Sequence, residues 1–156
     1  MVFTSISFGK HKDKTLPQIV FSDLDYFIWA VNEDVFKSLA LKKEVIYIYK
    51  RIQNIKIPKV NHDDYEVEYI IHPPTGKFGK FEIVRKTIPL HAGGSTAFRL
   101  EVINLTVVKS FKSYDKLGSR IMIDCLKGCY FGTPSYKMTK QRSEAFFNDD
   151  SNFLLK

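Results

Sequence analysis

A chain of 156 residues with 44% hydrophobic and 14% aromatic side chains can build the core of one ordinary domain or two small packed subdomains, which excludes disorder over most of its length. Its 24 basic and 17 acidic side chains leave a net charge of +7, which favours a polyanionic partner and excludes an acidic mimic of DNA. Apolar stretches such as Tyr26–Val31 and Val45–Tyr49 fall far short of the roughly 20 residues of a membrane-spanning helix, and no basic region followed by an apolar run opens the chain, so a cytoplasmic protein without membrane association is expected.

Phe3 to Phe8 alternates apolar and small polar residues and is read as a short strand running into a basic turn, Gly9-Lys10-His11-Lys12-Asp13-Lys14. Thr15 can cap a short helix with Pro17 in its first turn and Leu16, Ile19 and Val20 on its apolar side. Ser22 and Asp23 restart the count: Leu24, Phe27, Ile28 and Val31 fall at helical spacing, with Trp29 beside the buried stripe. A further helix is expected from Val35 to about Ile52, burying Phe36, Leu39, Val45, Ile48, Tyr49 and Ile52 and leaving Lys42, Lys43, Lys50 and Arg51 to solvent.

Pro58 ends that pattern, and the polar connector 59–64 is the expected boundary between a basic-turn and helical subdomain, 1–58, and a sheet-plus-helices subdomain, 59–156. Tyr65, Val67, Tyr69 and Ile71 then alternate, His72-Pro73-Pro74-Thr75-Gly76 turns the chain, and Phe78 to Val84 alternates again, a hairpin. A second strand pair is expected at Phe98–Ile103 and Leu105–Phe111, after the loop His91-Ala92-Gly93-Gly94-Ser95-Thr96. Tyr114 to about Tyr130 reads as a helix with Leu117, Ile121, Leu126 and Tyr130 on one side, and Thr139–Phe147 as a last helix exposing Lys140 and Arg142. The tail Asn148–Lys156 is expected to fray. The fold class is therefore α+β: an N-terminal strand, turn and helices, then a small antiparallel sheet with C-terminal helices packed on it.

No catalytic signature emerges. There is no Gly-x-Ser-x-Gly elbow, Gly93-Gly94-Ser95 being the nearest approach, and no phosphate-binding loop of the Gly-x-x-x-x-Gly-Lys-Ser/Thr kind. Cys125 and Cys129 share a helix face and read as two small core residues. A metal site would need two more ligands, and neither a second cysteine pair nor His-x-x-x-His spacing supplies them. His11, His62, His72 and His91 are scattered over separate turns. The densest acidic region, Asp63, Asp64, Glu66 and Glu68 with Glu82 on the next strand, is either the solvated face of an edge hairpin or a nuclease-type metal cluster. It lacks the acid-x-lysine pattern of restriction-type nucleases. No cofactor, resident metal or small-molecule substrate is expected.

The charge is uneven. Residues 1–60 carry 10 basic and 6 acidic side chains, 61–111 carry 6 of each, and 112–156 carry 8 and 5, so the excess lies at both ends. The N-terminal turn concentrates it: glycine permits the tight bend, and Phe8, Gly9, Lys10, His11, Lys12 and Lys14 offer backbone amides, cations and rings to a phosphate backbone.

Phe8-Gly9-Lys10-His11-Lys12-x-Lys14-x-Leu16, followed by Asp23-x-Asp25-Tyr26-Phe27-x-Trp29, resembles the small C-terminal domain of exodeoxyribonuclease X-like proteins and a family of bacterial proteins described as quorum-sensing-regulated virulence factors. The resemblance covers about residues 3–55. His11 stands where the family carries tyrosine and Asp13 where it carries glycine. The resemblance implies an accessory to nucleic-acid enzymes, associated with DNA or RNA without cleaving it. The remaining two thirds, including His72-Pro73-Pro74-Thr75-Gly76-Lys77-Phe78-Gly79 and Ser113-Tyr114-Asp115-Lys116-Leu117-Gly118, is similar to uncharacterised proteins of bacterial mobile elements. That implies phage or plasmid biology, including inhibition of a host defence complex of the CRISPR type by protein or ribonucleoprotein binding. The leading expectation is a non-enzymatic, nucleic-acid-associated accessory protein, with the defence inhibitor and a metal-dependent nuclease as alternatives.

Overall fold

The computed structural model describes residues 1–72, 74–91, 96–110 and 116–155. Over these residues the fold is α+β: N-terminal helices, a three-stranded antiparallel sheet, then C-terminal helices.

Helix α1 (Leu16–Ser22) starts at Thr15, whose N–H donates to the Gln18 side chain at 2.9 Å, with Pro17 in the first turn where its missing N–H costs nothing. Asp23 ends α1 and caps α2 (Leu24–Asn32), accepting the Tyr26 N–H at 3.2 Å. Helix α3 (Leu39–Ile52) starts later than the periodicity implied, because Ser38 supplies the cap by accepting the Leu41 N–H. The buried face is accordingly Leu41, Glu44, Ile48, Arg51 and Ile52, and Leu39, expected in the core, is 72% exposed.

The expected strand at Phe3–Phe8 does not form. Phe3 and Ile6 are buried, but they are three residues apart, a spacing that no flat strand presents to one face. Its backbone finds partners other than a strand ladder: the Thr4 N–H and hydroxyl donate to the buried Glu44 carboxylate at 2.9 and 2.6 Å, and Ile6 exchanges hydrogen bonds with Lys14 and Asp13 of the turn.

In the sheet, β1 (Tyr65–His72) lies between β2 (Lys77–Arg85) and β3 (Thr96–Leu100), both antiparallel to it. The hairpin is the one expected, with a bulge between Ile70 and Ile71 opposite Gly79. A Cβ on Gly79 would stand 3.2 Å from the Ile70 carbonyl oxygen, a close approach to backbone that favours glycine at the bulge. The second strand expected at Leu105–Phe111 is instead a 3-10 helix over Leu105–Ser110, Phe111 lying outside the described residues. The Asn104 side chain accepts both the Thr106 N–H and its hydroxyl, at 2.9 and 2.7 Å, which bends the chain where a strand would begin.

Helix α4 (Lys116–Phe131) packs on β2 and α2; Tyr114, its expected start, lies outside the described residues. It buries Gly118, Ser119, Met122, Ile123 and Leu126, while Leu117, expected inside, is exposed. Helix α5 (Lys140–Asn148) is capped by Thr139 and leaves Lys140 and Arg142 exposed. The tail does not fray through Leu155. Phe153 is buried and bridges to Ile55, the Leu154 N–H donates to the Asn54 carbonyl, and the buried Arg51 guanidinium donates to the Phe147 carbonyl at 3.2 Å and to Asp150 at 2.8 Å.

One buried cluster takes residues from both sides of residue 58, from Ile6, Phe27 and Ile52 to Tyr69, Leu126 and Phe147. Fully buried Tyr69 is its polar pivot: the hydroxyl donates to the Val102 carbonyl and accepts the Asn104 N–H, both at 2.8 Å. Burial raises its pKa well above the ordinary tyrosine value, since phenolate would be desolvated. Tyr69→Phe keeps the ring and strands the Asn104 amide, so urea unfolding should show a loss of about 1–3 kcal/mol with strand content unchanged by circular dichroism.

Candidate nucleic-acid interface

Positive φ at Gly9 (71°) and at Asp13 (72°) folds residues 8–14 into a compact double turn, closed by hydrogen bonds from Lys12 N–H to the Gly9 carbonyl and from Lys14 N–H to the His11 carbonyl. Glycine enters this region freely, and aspartate is among the few other residues that tolerate it.

The turn is fastened to the helices by Asp23. This largely buried carboxylate takes His11 Nε2 and Lys10 Nζ on the same oxygen, each at 3.0 Å, while its other oxygen caps α2. Burial pushes the Asp23 carboxyl up, but the hydrogen bonds from Lys10, His11 and the Tyr26 amide outweigh it and hold the pKa below its ordinary value. The His11 ring is buried, edge-on to Tyr26 with centroids 4.6 Å apart, and its Nδ1 has no hydrogen-bond partner.

The six sequence-chosen residues therefore have different positions. Lys12 and Gly9 are exposed at the tip, and Lys14 is half-buried. Lys10 is exposed along its length yet paired with Asp23, with its ammonium 5.1 Å from the Tyr26 ring centre. Phe8 is 37% exposed and leans on buried Phe36, centroids 6.3 Å apart. His11 faces inward and acts as a brace.

Sequence reasoning missed two side chains. Trp29 is 51% exposed on α2, and Tyr26 lies one helical turn before it with ring centroids 5.7 Å apart. An α2 helical wheel centred on buried Leu24, Phe27 and Ile28 already turns position 29 away from the core. Lys10, Tyr26 and Trp29 thus form a row in which a cation lies over one ring and a second ring stands in solvent. Such a row can stack bases and hold phosphates.

The alternative acidic region is arranged differently. Glu68 lies opposite Glu82 on β2 and Arg99 on β3. It is buried, accepts from Arg99 Nε at 3.2 Å and from the His91 N–H at 3.0 Å, and Glu82 pairs with Lys80 at 2.7 Å. Asp63 and Asp64 are exposed at the strand entrance. Among the described residues no three His, Cys, Asp or Glu side chains are grouped to hold a metal ion. Cys125 and Cys129 are half-buried free thiols whose pKa values burial raises, that of Cys129 to about 11. His62 and His72 stand apart on the surface, and Gly93-Gly94-Ser95 and Ser113-Tyr114-Asp115 lie outside the described residues.

No family model matches the chain, and neither the curated proteins nor the solved structures hold a match to it. Among the described residues no helix is long and apolar enough to cross a membrane.

Asp23→Asn keeps the helix cap but removes the charge that Lys10 and His11 share. Because Lys10 is solvated, the expected loss at neutral pH is about 1 kcal/mol by urea unfolding. The folded pKa is depressed, so this stabilisation is complete above 3.8, the ordinary value, and disappears as pH falls through the lower folded value. The gap between wild type and Asp23→Asn should therefore close in acid.

Proposed function

We propose that this chain is a non-enzymatic, nucleic-acid-associated accessory protein that contacts single-stranded DNA or RNA through its basic turn and the adjoining aromatic row. The observation that carries this reading is the exposure of Trp29, 51%, next to a tyrosine that already lies under a lysine. A large indole left in solvent, one ring away from a cation, loses apolar burial unless something stacks on it, and a nucleobase does so while its phosphate meets the lysines. Lys12, exposed at the tip, and Lys10 supply the phosphate contacts, with Lys14 behind them. His11 and Asp23 position the turn, and Phe8 anchors it. Single strands fit better than duplex because their bases are free to stack. A host nucleoprotein complex with an accessible single strand offers the same chemistry.

Trp29 is the single tryptophan of the chain, so its fluorescence reports directly on stacking. Titration with unlabelled oligonucleotides should quench it at low salt, with the quench reversed as salt rises. Trp29→Ala, followed by anisotropy of a labelled strand, should weaken binding at least about fivefold, since each stack contributes on the order of 1–3 kcal/mol. Lys12→Glu should flatten the plot of log affinity against log salt by about 0.7 for each phosphate that is no longer neutralised. An unquenched Trp29 at about 50 mM salt, where phosphate contacts are strongest, removes the proposal. Asp13→Gly provides a gain-of-function check. It removes a carboxylate from the turn at a φ of 72° that glycine adopts freely, so affinity should rise without loss of folding.

A further inference from the structure

We propose that the apolar cleft between the end of α2 and the first turns of α3 is a docking site for an acidic, amphipathic segment of another protein. The cleft, about 210 Å³, is lined by Ala30, Val31, Phe36, Val45 and Ile46. Asp34 and Lys42 complete its lining. No residue of the basic turn lines the cleft, and the contact between the two surfaces that runs through its lining is that of Phe8 with Phe36, so the cleft is distinct from the nucleic-acid surface proposed above.

Two features mark it as a surface awaiting a partner. Ile46 and Leu39 are 70% and 72% exposed, and at a spacing of seven residues they lie on one face of α3, two turns apart. Single exposed aliphatic side chains are ordinary on a protein surface; here Ile46 itself lines an apolar cleft, and Leu39 carries exposed apolar surface further along the same helix face. Between them on that face stand Lys42 and Lys43, both exposed, and Lys37 precedes the helix. The nearby carboxylate, Asp34, is shared by Lys37 at 3.0 Å and Lys42 at 4.0 Å, which leaves these four side chains with a net positive charge.

The chemistry of the rim selects the occupant. A second copy of this chain would bring the same lysines against themselves across a twofold axis, a like-charge contact. An anionic bilayer would satisfy the lysines, but it presents no projecting side chain to a concave cleft. A helix or extended segment with a bulky apolar anchor and flanking glutamates or aspartates satisfies both features: the anchor enters the cleft beside Ile46, a second apolar residue further along meets Leu39, and the acids meet Lys37, Lys42 and Lys43.

The test uses the full chain and a fluorescein-labelled peptide with leucine and phenylalanine on one helical face and glutamate elsewhere. Saturable binding is expected by anisotropy, together with at least about tenfold weakening by Ile46→Glu, the effect typical of disrupting a buried anchor. Lys42→Glu/Lys43→Glu should weaken it as well, while Trp29→Ala leaves it unchanged. A control peptide with lysine replacing glutamate should not bind. Ile46 and both lysines are solvent-exposed, so these variants should retain the wild-type unfolding curve. The proposal is overturned by absence of saturable binding, by binding indifferent to Ile46→Glu, by Ile46-dependent attachment to phosphatidylserine vesicles without peptide binding, or by Ile46-dependent dimerisation in sedimentation.

Discussion

The carboxylate of Asp23 is the point on which the N-terminal third depends. One of its oxygens closes the first turn of α2 and the other receives both Lys10 and His11. Two backbone segments that have no regular ladder between them are thereby set against each other: a double turn with two residues at positive φ and a pair of short helices that meet at a single capping residue. The group is too buried to be solvated well, so its charge persists only because three donors converge on it. Without that convergence Lys10 would not lie over Tyr26, and the cation would be separated from the aromatic row.

The C-terminal end is held by a complementary device. Arg51 lies 3.5 Å from the Tyr47 ring centre and donates to the last turn of α5 and to Asp150. A buried guanidinium is destabilising unless its donors are used, and here they meet a helix carbonyl and a carboxylate from the segment that follows. Phe153 then stacks on Phe147 and meets Phe146 edge-on, so α5 and the tail close over Ile55 as one unit. The Glu44 contact with Thr4 does the same for the first residues of the chain. The two buried charges of α3 thus tie down both ends of the chain, Glu44 the irregular first residues and Arg51 the end of α5 with the 3-10 turn Asp150–Asn152.

These ties explain what could be read from the residues and what could not. The β1–β2 hairpin, α1, α2 and α5 were legible because their signals are local: alternation around a proline- and glycine-bearing turn, and a capping residue ahead of an apolar stripe. The 105–110 segment is rich in β-branched residues and reads as a strand, yet one asparagine side chain redirects it. The first residues look like a strand, but a strand needs a neighbour, and the neighbour is a glutamate far along the chain. Leu39 and Leu117 were placed inside from spacing alone, and a shift of the helix start reversed the first of them. In the site, the lysines were visible as a run, whereas His11, expected to offer its ring, is a packed brace, and Trp29, placed only beside the buried stripe, is the exposed ring. The outward indole follows from the helical wheel of α2, but the inward histidine depends on Asp23, a contact across twelve residues that no periodicity records.

The distribution of charge follows the same division. In the neutral middle segment the sheet consumes its own charges, Glu68 with Arg99 and Glu82 with Lys80, on the strands that bear them. A paired charge in a ladder contributes little field at a distance. The excess of +7 is therefore carried by the helical regions on either side of the sheet in sequence, where Lys12, Lys42, Lys43, Lys140 and Arg142 stand exposed. Those regions also bear the exposed indole and the two exposed aliphatic side chains of α3. Cation and apolar surface coincide at two separate places, once around an aromatic ring and once around an aliphatic cleft. A nucleobase with its phosphate matches the first, and an acidic side chain next to an aliphatic one matches the second. Both surfaces are borne by α2 with its neighbours, the turn for one and α3 for the other, and α4, which packs on both α2 and β2, joins them to the sheet.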